Sequence, residues 1–508
     1  MSTKNWTKKN LTVVLLALIL IVGGGLRLYG LGNNSFVADE FLDINSSMGY
    51  AKTGVWQSWD FNYGVPATEN LNQARDERAT IYKWQVAQVL KILPASEFSA
   101  RLVSVLWGLI SIVLIFLVAR YFTKSSRVGL LAAFLFAVSV SAIIFDRRLR
   151  MYAMFLPVYL VFTTALYMLL EQKYQGKVKL FRKIWDAYGI HVLFVPIALM
   201  LGVAAYLTHQ LALTGPIVLG VYIWIMAIVA WRRGDKKNKH SILGGLGVVG
   251  IVFLFVTGLW SKISHFFIFF DNHYSYLGYV FGDFAHPLLG AICVVSGAWI
   301  LIKNKETEKQ GIWLATSLFA PLAMSIWLWH RNAGPQYIFF VQSFTFILAA
   351  VTISWLMSFL ASKLSLYKKA PWGVLLLALL LLPNYGYFLE ENNTYHETTS
   401  GGNPNYRKVF TYFKKQVQPG EVLITRNFRN FYWADAKVPV YDFGGELSER
   451  NFNMDDLRAI QAKHAHGWII VSENDLDYIK GDTKDYIEQN LEHVSNSNIR
   501  GAIEAYRW

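Results

Sequence analysis

Three carboxylates fall close together in "FVADEFLDIN": Asp39, Glu40 and Asp43, a few positions after the first long apolar run ends. Carboxylates so close to a membrane surface have two readings. They sit solvated in a loop, or one of them takes a proton from a hydroxyl brought to it, as a general base does. A transfer run by such a base needs positive charge where the leaving group departs. The sequence offers cations in two places. "FDRRLRMYAM" carries Arg147, Arg148 and Arg150 in a short turn between apolar runs. Arginine near membrane depth costs energy unless it has a partner. It either snorkels to lipid phosphates or lines a pocket for an anionic headgroup, because its planar fork matches phosphate oxygens. "ARDERATIYKW" sets Glu77 and Arg78 just ahead of an amphipathic stretch. A solvated charged turn is the plainer reading of that run.

These side chains act only if the surrounding elements hold them. The chain has 508 residues, of which 54% are hydrophobic and 16% charged, with a mean hydropathy of +0.31. That balance predicts a polytopic membrane protein. A span needs about 20 apolar residues. About eleven runs qualify: 11–31, 100–121, 128–145, 152–170, 188–207, 211–231, 242–260, 283–302, 311–329, 336–360 and 372–389. The net charge of +14 is not a nucleic-acid signature, because most Lys and Arg gather in short loops between these runs. "TKSSR", "QKYQGKVKLFRK", "WRRGDKKNKH" and "KNKETEKQ" belong to one alternating set. The positive-inside rule makes that set cytoplasmic, with the N-terminus inside and the C-terminus outside. "MSTKNWTKKN" precedes the first run without a small-residue cleavage site, so that run reads as an uncleaved span. The lone Cys293 excludes a disulfide framework and a cysteine zinc site.

On this topology the long outer loops are 32–99 and 261–283. "TIYKWQVAQVLKIL", 80–93, mixes Ile81, Trp84, Val89 and Ile92 with Lys83, Gln85 and Lys91, as a helix lying in the interface plane would. The chain divides at about 390. Residues 1–390 are the membrane part. Residues 391–508 are polar, with a helical stretch at 406–417 and strand-like "EVLIT" and "GWIIVS", and read as a small extracytoplasmic α/β domain. Histidines are scattered, and no HxxxH or HExxH spacing points to a metal.

Taken in order, these segments resemble the GT-C glycosyltransferases, particularly bacterial relatives of the protein O-mannosyltransferases and of the aminoarabinose transferase that modifies lipid A. The resemblance runs through most of the chain. "ADEFLDINSSMGYAKTGVW" is similar to the family's Asp-Glu, helix and glycine turn. "ERATIYKW", "SEFSARLVSVLWG", "DRRLRMYAM", "YLTHQ", "GPQYIFFVQSF" and "NYRKVFTYFKKQVQPGEVLI" resemble its later segments. Three departures stand out: Ala79-Thr80 replaces Pro-Pro, Arg78 replaces Lys, and Gln336 stands where Arg precedes Tyr337. Arg331 is the nearby cation that would replace the charge lost at Gln336.

The resemblance implies an all-α GT-C-like membrane domain and an inverting transfer. The donor would be a polyprenyl-phosphate-linked sugar, and the acceptor a hydroxyl on a lipid, glycan or protein. It implies that Asp39 removes the acceptor proton and that Glu40 orients the acceptor or tunes Asp39. Arg78, Arg147 and Arg150 would face the donor phosphate. It also allows a divalent metal on Glu77 and His265, which nothing in the sequence requires. Two other classes compete: a transporter or flippase of lipid-linked saccharides, and a cell-surface binding protein. Transporters favour ionisable groups at the midplane and paired broken helices, whereas these charges cluster at the outer ends of the runs.

Overall fold

The computed structural model describes residues 3–37, 39–67, 78–235, 238–258, 272–328, 333–363, 370–390, 393–395, 404–442 and 452–508. Helix α1 (Thr3–Leu28) forms because between Asn10 and Arg27 only Thr12 interrupts a run of apolar residues and glycines. Val13 and Ile21 stand 61% and 70% exposed on it. Such a surface is suited to lipid rather than to water.

Among the described residues, five helices are long and apolar enough to cross a membrane: Asn10–Leu28, Glu97–Thr123 (α4), Tyr152–Glu171 (α7), Gln210–Arg232 and Phe339–Lys363. A further apolar pair is bent: α5 (Ser126–Ala137) and α6 (Val140–Asp146) meet at 62°, and taken together they make a sixth apolar segment of spanning length. Helices also occupy Phe194–Thr208, Lys239–Val256, Pro287–Lys303, Glu308–Trp327 and Ala370–Leu381. The chain is a multi-pass membrane protein, mostly helical.

The chain separates into two compact units. The first comprises Met1–Arg27, Ser104–Asp146 and Met151–Tyr387. In it, Arg27 is fully buried and its Nε donates to Asp146 Oδ2 at 2.7 Å. Its Nη1 donates to the carbonyl of Ala137 at 2.9 Å. Gly108 faces this pair, and a methyl group there would collide with the Asp146 carboxylate. The break between α5 and α6 is also satisfied from within the unit. Ser141 N–H donates to Asp283 Oδ1 at 2.7 Å, and Ala142 N–H to Ser139 Oγ at 3.1 Å.

The second unit comprises Leu28–Val103, Arg147–Arg150 and Phe388–Trp508. It holds α2 (Asp39–Thr53), a short antiparallel pair β1 (Trp59–Asp60) and β2 (Val65–Pro66), α3 (Thr80–Ile92), the start of α4, and a five-stranded sheet. The sheet strands are β3 (Val422–Ile424), β4 (Val440–Tyr441), β5 (Gly467–Ser472), β6 (Glu492–His493) and β7 (Ile503–Arg507), in the order β4-β3-β5-β7-β6. β3 pairs parallel with β4 and β5, and β7 antiparallel with β5 and β6. β3 and β5 are buried throughout, as central strands covered by helices on both faces are. Side chains from distant parts of the sequence lock this unit together. Asn45 donates to the carbonyl of Phe428 and Asn62 to that of Val438, each at 2.8 Å. Phe41 packs edge-on against Tyr406, Phe428 and Tyr432.

Candidate active site

The carboxylate triplet opens α2. Asp39 and Glu40 occupy its first turn, where the helix dipole favours negative charge. The periodicity of 3.6 residues separates them: Asp39 and Asp43 share a side, and Glu40 points elsewhere.

Glu40 is 1% exposed and accepts four hydrogen bonds. Arg101 Nε and Leu149 N–H reach Oε1 at 2.9 and 2.7 Å, and Arg101 Nη2 and Val37 N–H reach Oε2 at 2.8 and 3.0 Å. Burial pushes this carboxyl up. The Arg101 charge and these hydrogen bonds outweigh it and hold Glu40 below the usual carboxylate range. Arg101 also donates to the carbonyls of Leu31, Asn34 and Ser35. Its oxygens tie the start of α2 to Arg101 and to the backbone of Leu149 in the arginine turn.

Asp39 differs. Its side chain is 59% exposed, and Arg150 Nη2 lies 3.0 Å from its Oδ2. Arg150 Nη1 donates to buried Asp43 at 2.9 Å. One guanidinium therefore spans the i and i+4 carboxylates of α2 and fixes the rotamer of the exposed one. Arg147 is 3% exposed and solvated by neutral oxygens: the carbonyls of Tyr29 (2.6 Å), Gly30 (3.2 Å) and Thr394 (3.0 Å), and the Thr394 hydroxyl (3.2 Å). Its guanidinium carbon stands 4.4 Å from the Tyr395 ring centre. These oxygens orient the Arg147 guanidinium. Arg148 is exposed.

Arg78 is exposed at the start of α3. The next residue, Ala79, has φ 52° and ψ 40°. Proline is locked near φ −65° and cannot adopt that conformation, so the missing proline at 79 is a requirement of this turn. In α3, Tyr82, Lys83 and Val86 are fully buried, while Trp84 is 48% and Ile92 81% exposed. Glu77 and His265 lie outside the described residues. Among the described residues no group of three or more His, Cys, Asp or Glu side chains is placed to hold a metal ion.

The structure thus brings Asp39, Glu40, Arg147 and Arg150 into one unit, together with residues to which sequence reasoning gave no role. Arg101 is the main one. Glu97 is another: it accepts from Tyr432 Oη at 2.7 Å and Arg407 Nε at 2.9 Å. Burial and the Glu97 charge raise the Tyr432 hydroxyl well above its ordinary value, so it stays protonated and donates. The available signal was the pair Glu97 and Arg101, four residues apart at the head of an otherwise apolar run.

No family model matches the chain, and no curated protein matches its sequence. Solved structures do match in fold. ArnT from Cupriavidus metallidurans in the apo state superposes with a TM-score of 0.59 at 14% identity, over 99% of this chain and 98% of that one. The same ArnT bound to undecaprenyl phosphate gives 0.54 at 14% identity, over 100% and 98%. The Archaeoglobus fulgidus oligosaccharyltransferase tethered with an acceptor peptide gives 0.60 at 10% identity, over 92% and 70%. The fold is the GT-C fold of these membrane glycosyltransferases, and at these identities the likeness speaks for fold alone.

Proposed function

We propose that this protein is an integral membrane glycosyltransferase that moves a sugar from a polyprenyl-phosphate donor to an extracytoplasmic hydroxyl, inverting the anomeric carbon. The observation that carries the reading is the contrast within the first turn of α2. Asp39 is the open carboxylate of the three, and it is held from one side by Arg150. The fold supports it: structures that share it were solved with undecaprenyl phosphate in one case and with an inhibitory peptide and dolichol-phosphate in another.

In this reading Asp39 takes the acceptor proton, the acceptor oxygen attacks C1, and the C1–O bond to the lipid phosphate breaks. The electron pair leaves on the phosphate. Arg147 supplies positive charge to the departing anion, and Arg78 adds to it from the turn before α3. Arg150, shared between Asp39 and Asp43, passes to the phosphate as Asp39 becomes protonated. The acceptor is a hydroxyl of a lipid, glycan or protein. Residues 1–390 carry catalysis on about eleven spans, and residues 391–508 form the extracytoplasmic α/β portion. The N-terminus is cytoplasmic and the site lies outside. A divalent metal on Glu77 and His265 is compatible with the scheme, which does not need it.

The test is Asp39→Asn in purified enzyme with one defined lipid-linked sugar and saturating acceptor. The amide keeps shape and loses the base, so turnover should fall by roughly 10²–10⁴ with donor binding intact. Turnover within threefold of wild type would return "FVADEFLDIN" to a solvated loop.

A further inference from the structure

The basic segment after α7 does more than mark topology. Lys179–Tyr188 forms a ten-residue helix in which no side chain is buried. Its sequence divides its surface in two. Lys179, Arg182, Lys183 and Asp186 recur on one side, and Phe181, Ile184, Trp185 and Tyr188 on another. Beside the apolar side, Leu180 is 61% exposed, and Tyr188 is 62% exposed. Phe181, Ile184 and Trp185 are half-buried, and a helix with a partly open apolar face and a cationic opposite face lies in the plane of a membrane surface. Its place in the chain agrees, because residues 172–178 are all that separates it from the end of the α7 span. Between 173 and 188, five cations (Lys173, Lys177, Lys179, Arg182 and Lys183) stand against the single acid Asp186.

The helix is tied to the spans at one point. Lys239 Nζ stands 5.0 Å over the Trp185 ring and donates to the carbonyls of Gly189 and Leu170. It is also 3.7 Å from Glu171, the last residue of α7. Glu171 further accepts from His240 Nε2 at 2.6 Å and Lys309 Nζ at 2.7 Å. The cavity of about 460 Å³ between them is charge-balanced, with Lys239 and Lys309 facing Glu171 and Asp186. It seats the helix rather than an anion. The uncompensated charge is on the helix face and on the residues leading into it.

We propose that Lys179–Tyr188 is an in-plane anchor that selects anionic phospholipid headgroups, with Phe181, Ile184 and Trp185 in the acyl boundary and Lys179, Arg182 and Lys183 at the phosphates. The charge complementarity carries it, since each cation near an anionic leaflet adds attraction that a zwitterionic leaflet lacks.

The full chain, purified and delipidated, is titrated with phosphatidylglycerol and separately with phosphatidylcholine, and bound lipid is counted by native mass spectrometry. Wild type should retain the anionic lipid about tenfold more strongly. The triple variant K179Q/R182Q/K183Q, all on exposed positions, should lose that preference and keep its retention of phosphatidylcholine. Equal retention of both lipids by wild type overturns the proposal, as does an undiminished preference in the triple variant. A spin label on a cysteine at Leu180 gives a second readout in anionic nanodiscs. Relaxation by oxygen, which partitions into acyl chains, is expected. Relaxation by a water-soluble reagent alone, or by neither because a protein covers the face, overturns the assignment.

Discussion

Two buried arginine–carboxylate pairs, one in each unit, are finished differently. In the first unit Arg27 meets Asp146 through one short contact, and among the described residues Asp146 Oδ1 has no partner. In the second, Glu40 receives a forked guanidinium and two backbone N–H groups, so each oxygen has two donors. Burying an ion costs several kcal/mol, and the attraction returns it only when the remaining lone pairs are satisfied. The Glu40 centre meets that condition and the Asp146 pair meets it in part. The fully satisfied Glu40 centre is the anchor of the two. Glu40 gathers α2, α4 and the arginine turn on one carboxylate, whereas Asp146 links only α6 to α1.

The largest expected effect follows from removing each carboxylate's charge. Glu40→Gln leaves buried Arg101 unpaired and should lower stability by about 3–5 kcal/mol. Asp146→Asn likewise leaves the buried Arg27 charge without the Asp146 carboxylate and should cost the lower end of that range, about 3 kcal/mol, because a single contact is lost rather than a fork. Thermal unfolding of both variants in the same detergent compares them, and equal losses would break the distinction. An acid titration sharpens it. Glu40 is held below the usual carboxylate range in the folded chain. Its contribution is therefore fully present above the unfolded carboxylate value of about 4.3 and drains away as pH falls through the lower folded value. Wild type should lose stability steeply in that window, and Glu40→Gln should show a shallower slope there. A slope unchanged by the substitution would mean another acid controls it. The smallest effect is at the turn before α3. Ala79 holds a left-handed conformation that costs a residue with a Cβ roughly 1 kcal/mol. Ala79→Gly should therefore raise the melting temperature slightly, while Ala79→Pro should disrupt the turn.

The sequence made the apolar spans legible because hydrophobic runs such as 11–31 need no partner to be recognised. It flagged Asp39 and the arginine turn because charged residues beside such runs are costly unless used. It gave Arg101 no role beyond its place in "SEFSARLVSVLWG", although Glu97 and Arg101 lie a helical turn apart at the head of α4. Hydropathy averages over an arginine there and does not report what it touches. The run 128–145 reads as one span and is in fact α5 and α6, since averaging is also blind to a backbone break at Val138–Ser139. The joining of residues 28–103 with 388–508 in one unit was not legible at all. The hydrogen bond from Asn45 to Phe428 links residues 383 positions apart, and no local period encodes such a contact.

The break between α5 and α6 also sets an order of assembly. Its freed N–H at Ser141 is received by Asp283, which follows it by 142 residues in the chain. Backbone donors left open in lipid are costly. During synthesis that acceptor is therefore absent until residue 283 has left the ribosome, and the bend is expected to close only then. Nascent chains stopped before and after that residue should differ in hydrogen exchange at Ser141, with protection appearing only in the longer one.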